Sequence, residues 1–390
     1  VTTLLEGCFS TPDLGAEIDL TSLGEADLIK VLFAENAGVV FQGKDDSVEK
    51  LFSDGGIKIH RIGKVREGAE LLLKNKGTNL VLDIPSLRGT WYKTSYLLDA
   101  QQTAGDLALA RYKNYAHQPL HFTFPKGFNG KLPQDTTETK ERPKAAILRE
   151  KGSNSEREMA HAMYLAGFDV KDVHMTDLIS GRETLEDIRF IGAVGGFSNS
   201  DVLGSAKGWA GAFKYNDKAN EALQRFFARH DTLSIGICNG CQLFMELELI
   251  HPDHEEHGKM TYNDSHKHES AFTSVRIAEN HSIMLKGLAG ATLGVWISHG
   301  EGKFRLPYDA SHYNIVGTYG YDSYPSNPNG SDYNTAMLCD DSGRHLVTMP
   351  HIERSIFPWN WAHYQEGRLN EVSPWLQAFI HAREWIESHD

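Results

Sequence analysis

Cysteine is scarce in this chain: Cys8, Cys238, Cys241 and Cys339 are the four among 390 residues. That is no disulfide framework, and a reducing compartment, the cytoplasm, is the expected location. Long apolar runs are missing as well. None approaches the roughly 18–20 residues that a membrane span requires, and the start, Val-Thr-Thr-Leu-Leu-Glu-Gly-Cys-Phe-Ser, has neither the basic region nor the apolar core of a signal peptide. Positive charge is also short, with 39 Lys and Arg against 52 Asp and Glu, a net charge of −13. Nucleic acid and anionic membranes select for a basic face, so neither is expected as a partner, although a small anionic substrate in a local basic pocket is compatible with this balance. The remaining composition, 40% hydrophobic and 23% charged, suits a globular chain of two or three domains.

Residues 1–9 read as the middle of an apolar helix with no N-cap before it, and position 1 is Val rather than Met. The expectation is a piece of a longer protein. Residues 1–127 alternate helical and strand patterns: a helix over 25–33, strands over 38–42, 57–65 and 79–84, and a long helix over 87–115. This α+β pattern carries no catalytic motif. Residues 128–143 are polar and nearly free of apolar side chains, the best candidate linker.

From 144 to 390 the pattern becomes strand–helix alternation. An apolar strand at 145–148 is followed by Ser153-x-x-Glu156, which reads as a capping box. Met159, Met163 and Ala166 then recur at helical spacing before Gly167. Buried strands at 190–194 and 232–237 run into Gly195-Gly196 and Cys238. The expected fold class is α/β, a mostly parallel sheet flanked by helices. Ligands on such sheets bind beyond the carboxyl ends of the strands, where both the glycine pair and Cys238 fall.

Cys238 and Cys241 form a C-x-x-C, a spacing compatible with redox or zinc chemistry. Zinc would require a second pair, and the other two cysteines are isolated. The surroundings point elsewhere: Gly236-Ile237-Cys238-Asn239-Gly240 is the cysteine counterpart of a nucleophile elbow, with a strand before it and an apolar helical pattern after it. A nucleophile on so sharp a turn has a strained backbone, and residues two positions to either side are crowded, hence glycine. The helix N-terminus favours thiolate at Cys238. Cys241 lies a turn further on and reads as a small packing residue.

A cysteine nucleophile needs a proton partner. In Met349-Pro350-His351-Ile352-Glu353-Arg354, which follows a strand pattern, an extended backbone would place His351 and Glu353 on one face, with the carboxylate orienting the imidazole. Gly195-Gly196-Phe197-Ser198 suits an oxyanion loop: Gly196 would supply one backbone donor and Asn239, after the nucleophile, the second.

These elements together resemble the triad-type (class I) glutamine amidotransferases, with their flavodoxin-like fold. Arg142 to the C-terminus is similar in particular to the glutaminase domains of the large single-chain phosphoribosylformylglycinamidine synthases. The stretches that carry this are R-P-K-A-A-I-L-R-E-K-G-S-N-S-E-R-E-M-A, D-V-H-M-T-D-L, G-G-F-S-x-x-D-V-L-G, G-I-C-N-G-C-Q, S-H-G-E-G, Y-P-S-N-P-N-G-S and M-P-H-I-E-R. Residues 1–127, through A-E-N-A-G-V-V-F-Q and R-G-T-W-Y-K-T-S, resemble the aminoimidazole-ribonucleotide-synthetase-like C-terminal part of the same family's synthetase portion. The resemblance implies a triad of Cys238, His351 and Glu353, oxyanion donors at Gly196 and Asn239, and glutamine-binding roles for Phe197, Gln242, His299 and Asn329. It implies glutamine as substrate and upstream synthetase domains of the same polypeptide as partners. Ammonia passes internally in that family to make formylglycinamidine ribonucleotide in purine biosynthesis. This chain would need no cofactor or metal of its own; ATP and Mg belong to the synthetase portion. Two stretches depart from the family pattern: Asn199-Ser200 stand where Tyr-Gly is usual, and His268-Glu269-Ser270-Ala271 where Phe-Glu-x-Arg is usual.

The histidines at 251, 254, 257, 266 and 268 fall in a polar stretch that reads as a solvated loop rather than a metal site. Trp359, Trp361 and Trp375 read as packing residues. Two other functions remain open at the level of sequence: a non-catalytic docking module, and a cysteine hydrolase of the same fold acting on other amides.

Overall fold

The computed structural model describes residues 1–11, 13–116, 121–133, 141–365 and 367–389. The chain forms two compact units, Val1–Gln101 and Gln102–Asp390. Residues 134–140 of the linker expected at 128–143 lie outside the described residues, and the units divide earlier, at Gln101. The reason is visible in the helical pattern of 87–115. It is two helices, Ile84–Asp99 and Leu107–Asn114, separated by a turn that includes Gly105 at φ +60°.

The first unit contains a four-stranded sheet in the order Gly63–Glu67, Leu14–Asp19, Glu70–Asn75, Thr78–Asp83. Leu71, Leu73, Ile18 and Leu20 pack under it with Leu5 and Phe9 from the N-terminal segment. The helix Thr2–Cys8 has no side-chain cap, as its sequence suggests. The helical pattern at 25–33 is shorter in fact, Leu28–Leu32, capped by Asp27. Residues 38–42 form no strand. Val39 is 86% exposed, and with no neighbouring strand to receive its backbone groups the apolar run stays irregular.

The second unit is built on a nine-stranded sheet flanked by helices, an α/β fold. Asp169–His174, Lys144–Arg149, Phe190–Ala193, Leu233–Ile237 and His345–Thr348 pair in parallel in that order. Thr335–Cys339, Asn314–Tyr319, Glu269–Ile277 and Thr292–His299 extend the sheet antiparallel. The inner parallel strands Phe190–Ala193 and Leu233–Ile237 are buried on both faces, which is why they read as continuous apolar runs, whereas the edge strand Asp169–His174 is mostly exposed and polar. Phe190, Phe168, Trp209, Phe244 and Phe379 fill the space between sheet and helices.

One local expectation fails. Ser153 does not cap the helix Glu156–Ala166; its hydroxyl donates to the Glu150 carbonyl at 2.7 Å. The residue before the helix is Ser155, at φ +71°, and its Oγ accepts the N–H of Gly195 at 3.3 Å. A serine that could have served the helix end instead holds the glycine loop.

Candidate active site

Strand Leu233–Ile237 ends at Cys238, and helix Asn239–Glu246 begins immediately after it. Cys238 has φ +52° and ψ −104°, a conformation that costs a non-glycine residue of order 1–3 kcal/mol and is held only by its surroundings. Those surroundings are tight. A Cβ on Gly240 would lie 2.0 Å from the Ala193 carbonyl oxygen, and one on Gly236 2.6 Å from that of Gly240. Glycine is therefore required at both positions by close backbone approach, as the elbow pattern demands.

The adjacent parallel strand His345–Thr348 leads to the candidate base, His351. Thr348 pairs with Ile237, and the Cys238 N–H donates to the Thr348 carbonyl at 2.8 Å, one rung further along the ladder. Pro350 then prevents the strand from continuing. His351 anchors by its N–H to the Trp296 carbonyl at 2.8 Å, and residues Ile352–Arg354 form a 3-10 turn. His351 and Glu353 therefore do not share the face of an extended segment. The turn brings them together instead, with Nδ1 2.7 Å from Oε1.

Both side chains are sealed, at 3% and 0% exposure. Burial disfavours the imidazolium, but the carboxylate of Glu353 and the hydrogen-bonded sulfur of Cys238 outweigh it and push His351 up to about 10. Burial likewise works against the Glu353 carboxylate, and the charge of His351 with its hydrogen bond overcomes that and lowers it. With Nδ1 engaged by Glu353, the other imidazole edge is left for Cys238.

The 195–198 loop lies against this pair. A Cβ on Gly195 would sit 2.8 Å from the His351 ring and 3.5 Å from the Cys238 Cβ. Gly196 is at φ +119°, and its Cβ would strike the backbone of Ser153 and Asn154 at 2.6 Å, so only glycine fits. The Ser198 N–H donates to Asn239 Oδ1 at 3.2 Å, tying the loop to the elbow. Among the described residues the N–H groups of Gly196 and Asn239 have no intramolecular acceptor. Two free amides near the Cys238 sulfur are donors of the kind an oxyanion hole requires.

Residues 142–386, which include all of these groups, match the CobB/CobQ-like glutamine amidotransferase domain. The chain belongs to that family. Over 99% of its length it is 37% identical to the human phosphoribosylformylglycinamidine synthase, and over its whole length 37% identical to a probable phosphoribosylformylglycinamidine synthase, chloroplastic/mitochondrial, of Arabidopsis thaliana. It spans 31% and 29% of those proteins. A solved structure of PurLQS from Thermotoga maritima aligns with 62% of the chain and 98% of its own, at 25% identity and a TM-score of 0.48.

The remaining expected residues of this amidotransferase are placed as follows. Phe197 is 47% exposed. Gln242 is buried, and both ends of its amide are used: Nε2 donates to the Glu301 carbonyl at 2.8 Å and Oε1 accepts from Asn239 at 2.9 Å. It therefore braces the 298–302 turn against the elbow. His299 and Asn329 both pack against Gly302 of the same turn, where a Cβ would lie 2.4 Å from His299 Nδ1 and 2.8 Å from Asn329 Nδ2. His299 is fully buried with neither ring nitrogen bonded among the described residues; burial first, then the neighbouring imidazoles of His351 and His268, lower it to about 3. Asn329 donates to the Gly302 carbonyl and, at 3.3 Å, to the Tyr319 hydroxyl.

Sequence reasoning passed over three contributors. The Cys238 sulfur lies 3.6 Å from the Ser298 carbonyl, a backbone contact no motif announces. His268, grouped above with a solvated loop, bonds Ser298 Oγ at 3.0 Å and packs on Phe197. Arg354 donates to Asn154 at 2.7 Å, and Asn154 in turn donates to the Gly195 carbonyl, linking the base segment to the glycine loop. The departure at Asn199-Ser200 is also structural: these two and Asp201 have φ of +53°, +58° and +48° in succession. Of the other histidines, His251 and His254 stack on each other at 4.8 Å and pack against Tyr313. No group suited to a metal is found among the described residues. Trp361 and Trp375 are packed, whereas Trp359 is 77% exposed and is not a core residue. No helix among the described residues is long and apolar enough to cross a membrane.

Proposed function

We propose that Cys238, His351 and Glu353 form the triad of a glutaminase. The observation that carries this reading is the strained Cys238 elbow with a buried, carboxylate-held imidazole beside it. The sulfur of Cys238 attacks the glutamine carboxamide carbon, and the N–H groups of Gly196 and Asn239 receive the oxyanion. The imidazolium of His351 gives its proton to the departing nitrogen, the C–N bond breaks, and ammonia leaves a glutamyl thioester. Water then loses a proton to the same imidazole as its oxygen attacks the thioester, releasing glutamate and the thiol. Glu353 keeps the imidazole in one orientation and stabilises its charge.

Reaction of the chain with an electrophilic glutamine analogue tests this. An adduct on Cys238 together with ammonia release from glutamine supports it; neither event in folded protein overturns it. A panel of peptides and other amides, hydrolysed in place of glutamine, would point instead to a different amide hydrolase.

We further propose that this is the glutaminase part of a phosphoribosylformylglycinamidine synthase. The ammonia would then serve ATP- and Mg-dependent amidine formation in synthetase domains of the same polypeptide, in the cytoplasm. Residues 1–127 would be the end of that synthetase portion. Similarity along nearly the whole chain to proteins of that name supports this reading.

A further inference from the structure

Arg111 lies on the helix Leu107–Asn114, upstream of the 142–386 stretch that the amidotransferase family covers, yet within the same compact unit. The segment around it is fastened to that unit at several points. The Ala104 N–H donates to the Ser265 carbonyl at 3.0 Å. Asn114 donates to the Tyr321 hydroxyl at 3.1 Å. Thr123 exchanges two backbone hydrogen bonds of 2.9 Å with Thr292 on the edge strand of the sheet. A chain laid along an exposed strand edge would satisfy its free backbone groups and needs no further explanation. Arg111 does.

Its guanidinium donates to Glu269 Oε2 at 3.1 Å and to the Tyr324 hydroxyl, and the same hydroxyl donates to Glu269 Oε1 at 2.9 Å. The Glu269 side chain is 4% exposed. A carboxylate that deep is tolerated only when paired and hydrogen-bonded, and here both oxygens are held. Glu269 is the first residue of its strand and stands opposite His299, while Ser270 stands opposite Ser298. From this point the chain continues into the 262–268 and 298–302 segments, which Asn263 ties together through bonds to His299, Gly300 and Gly302. The Ser298 carbonyl faces the Cys238 sulfur, and the Glu301 carbonyl is held by Gln242.

We infer that Arg111 is a positioning residue for glutamine hydrolysis, acting through Glu269 on the 298–302 turn. The inference rests on the glutaminase reading above. It gives a helix outside the family domain a part in shaping the substrate side of the site, while the Cys238–His351–Glu353 arrangement stands without it.

The test is steady-state ammonia release by the full chain and its Arg111→Met, Arg111→Lys, Tyr324→Phe and Arg111→Met/Glu269→Gln variants. Arg111→Met is expected to raise KM for glutamine about tenfold with kcat changed by no more than about twofold, since removing one partner of a buried ion pair disturbs the turn but not the triad. Alkylation of Cys238 by iodoacetamide should proceed at the parent rate. Arg111→Lys should rescue only part, because an ammonium lacks the planar fork. The double variant should recover part of the loss by removing the stranded charge. A folded Arg111→Met chain with the parent KM overturns the inference, as does a rise in KM matched by an equal loss of thiol alkylation. Should Arg111→Met fail to fold, Tyr324→Phe carries the test: a threefold or so rise in KM supports the inference and an unchanged KM overturns it. A folded parent chain without glutamine hydrolysis or analogue labelling removes the glutaminase reading itself, and this inference with it.

Discussion

His351 Nδ1 and Glu353 Oε1 meet at 2.7 Å inside a region closed to solvent, although the two residues lie on a 3-10 turn and not on a common strand face. Glu353→Gln keeps the shape and removes the charge. Hydrolysis of glutamine should fall by about 10²–10⁴ in kcat, because the imidazole loses both its orienter and the partner of its positive form. Ammonia release under saturating glutamine measures this; a loss below about threefold would exclude Glu353 from the triad.

The same pair sets a pH dependence of stability. The folded-state pKa of His351 is raised to about 10, so its contribution is complete below the unfolded value near 6.5 and is lost as pH rises through about 10. Glu353 is shifted downward, so its contribution is present above the ordinary carboxylate range and is lost on acidification. The stability gap between the parent and Glu353→Gln should therefore be widest near pH 5–6 and narrow steadily toward pH 10. Denaturant unfolding of both proteins across that range reads the gap, and a gap that widens with rising pH contradicts the assignment.

On the acid side a different pair of groups dominates. Burial holds His299 down to about 3, and burial, only partly offset by Asp340, holds His345 down to about 4. Their unfolded forms bind protons from about pH 6.5 downward while the folded forms do not, so stability should fall on acidification by up to about 1.4 kcal/mol per pH unit for each histidine. Replacing His345 by Gln should flatten the decline between pH 6 and 4. An unchanged slope in denaturant unfolding would show that His345 charges without unfolding.

Cys238 and Cys241 should part company under substitution. Cys238→Ala is expected to abolish ammonia release. Cys241 is fully buried, and that burial, with the charge at Cys238, raises its thiol well above the ordinary value. Cys241→Ala should retain activity within about tenfold, with a stability cost of about 1 kcal/mol for the lost packing. Loss of activity in Cys241→Ala alone would reverse the assignment of nucleophile.

A contrast between glycines tests the elbow sterically. Gly240→Ala places a methyl 2.0 Å from the Ala193 carbonyl and should cost at least about 1–3 kcal/mol, whereas Gly300→Ala meets nothing within 4 Å and should leave stability nearly unchanged. Thermal unfolding of the two variants decides it; equal midpoints would mean the turn relaxes freely.

The elbow was legible in the sequence because its requirement is local: crowding two residues to either side of Cys238 selects glycine wherever the chain turns from strand to helix. The strands at 145–148, 190–194 and 232–237 were legible because burial on both faces leaves continuous apolar runs. The identities of His351 and Glu353 were legible, but their geometry was not, since the effect of Pro350 on the strand end determines whether the pair meets across an extended face or around a turn. Ser153 misled because two serines competed for the helix end, and a hydrogen bond to Gly195, forty residues away, decided the role of Ser155. Arg111 and Glu269 were beyond reach of any local pattern, being 158 residues apart in the chain.

Cys238 follows directly on the pairing of Ile237 with Thr348, and His351 lies beyond Pro350 on the continuation of the neighbouring parallel strand. The pairing of these strands brings the two residues to one end of the sheet, and the Trp296 carbonyl holds the His351 N–H beyond Pro350. A slip of one residue in that ladder would move the start of the Pro350 turn relative to Cys238, so the register of two strands sets where the imidazole can reach.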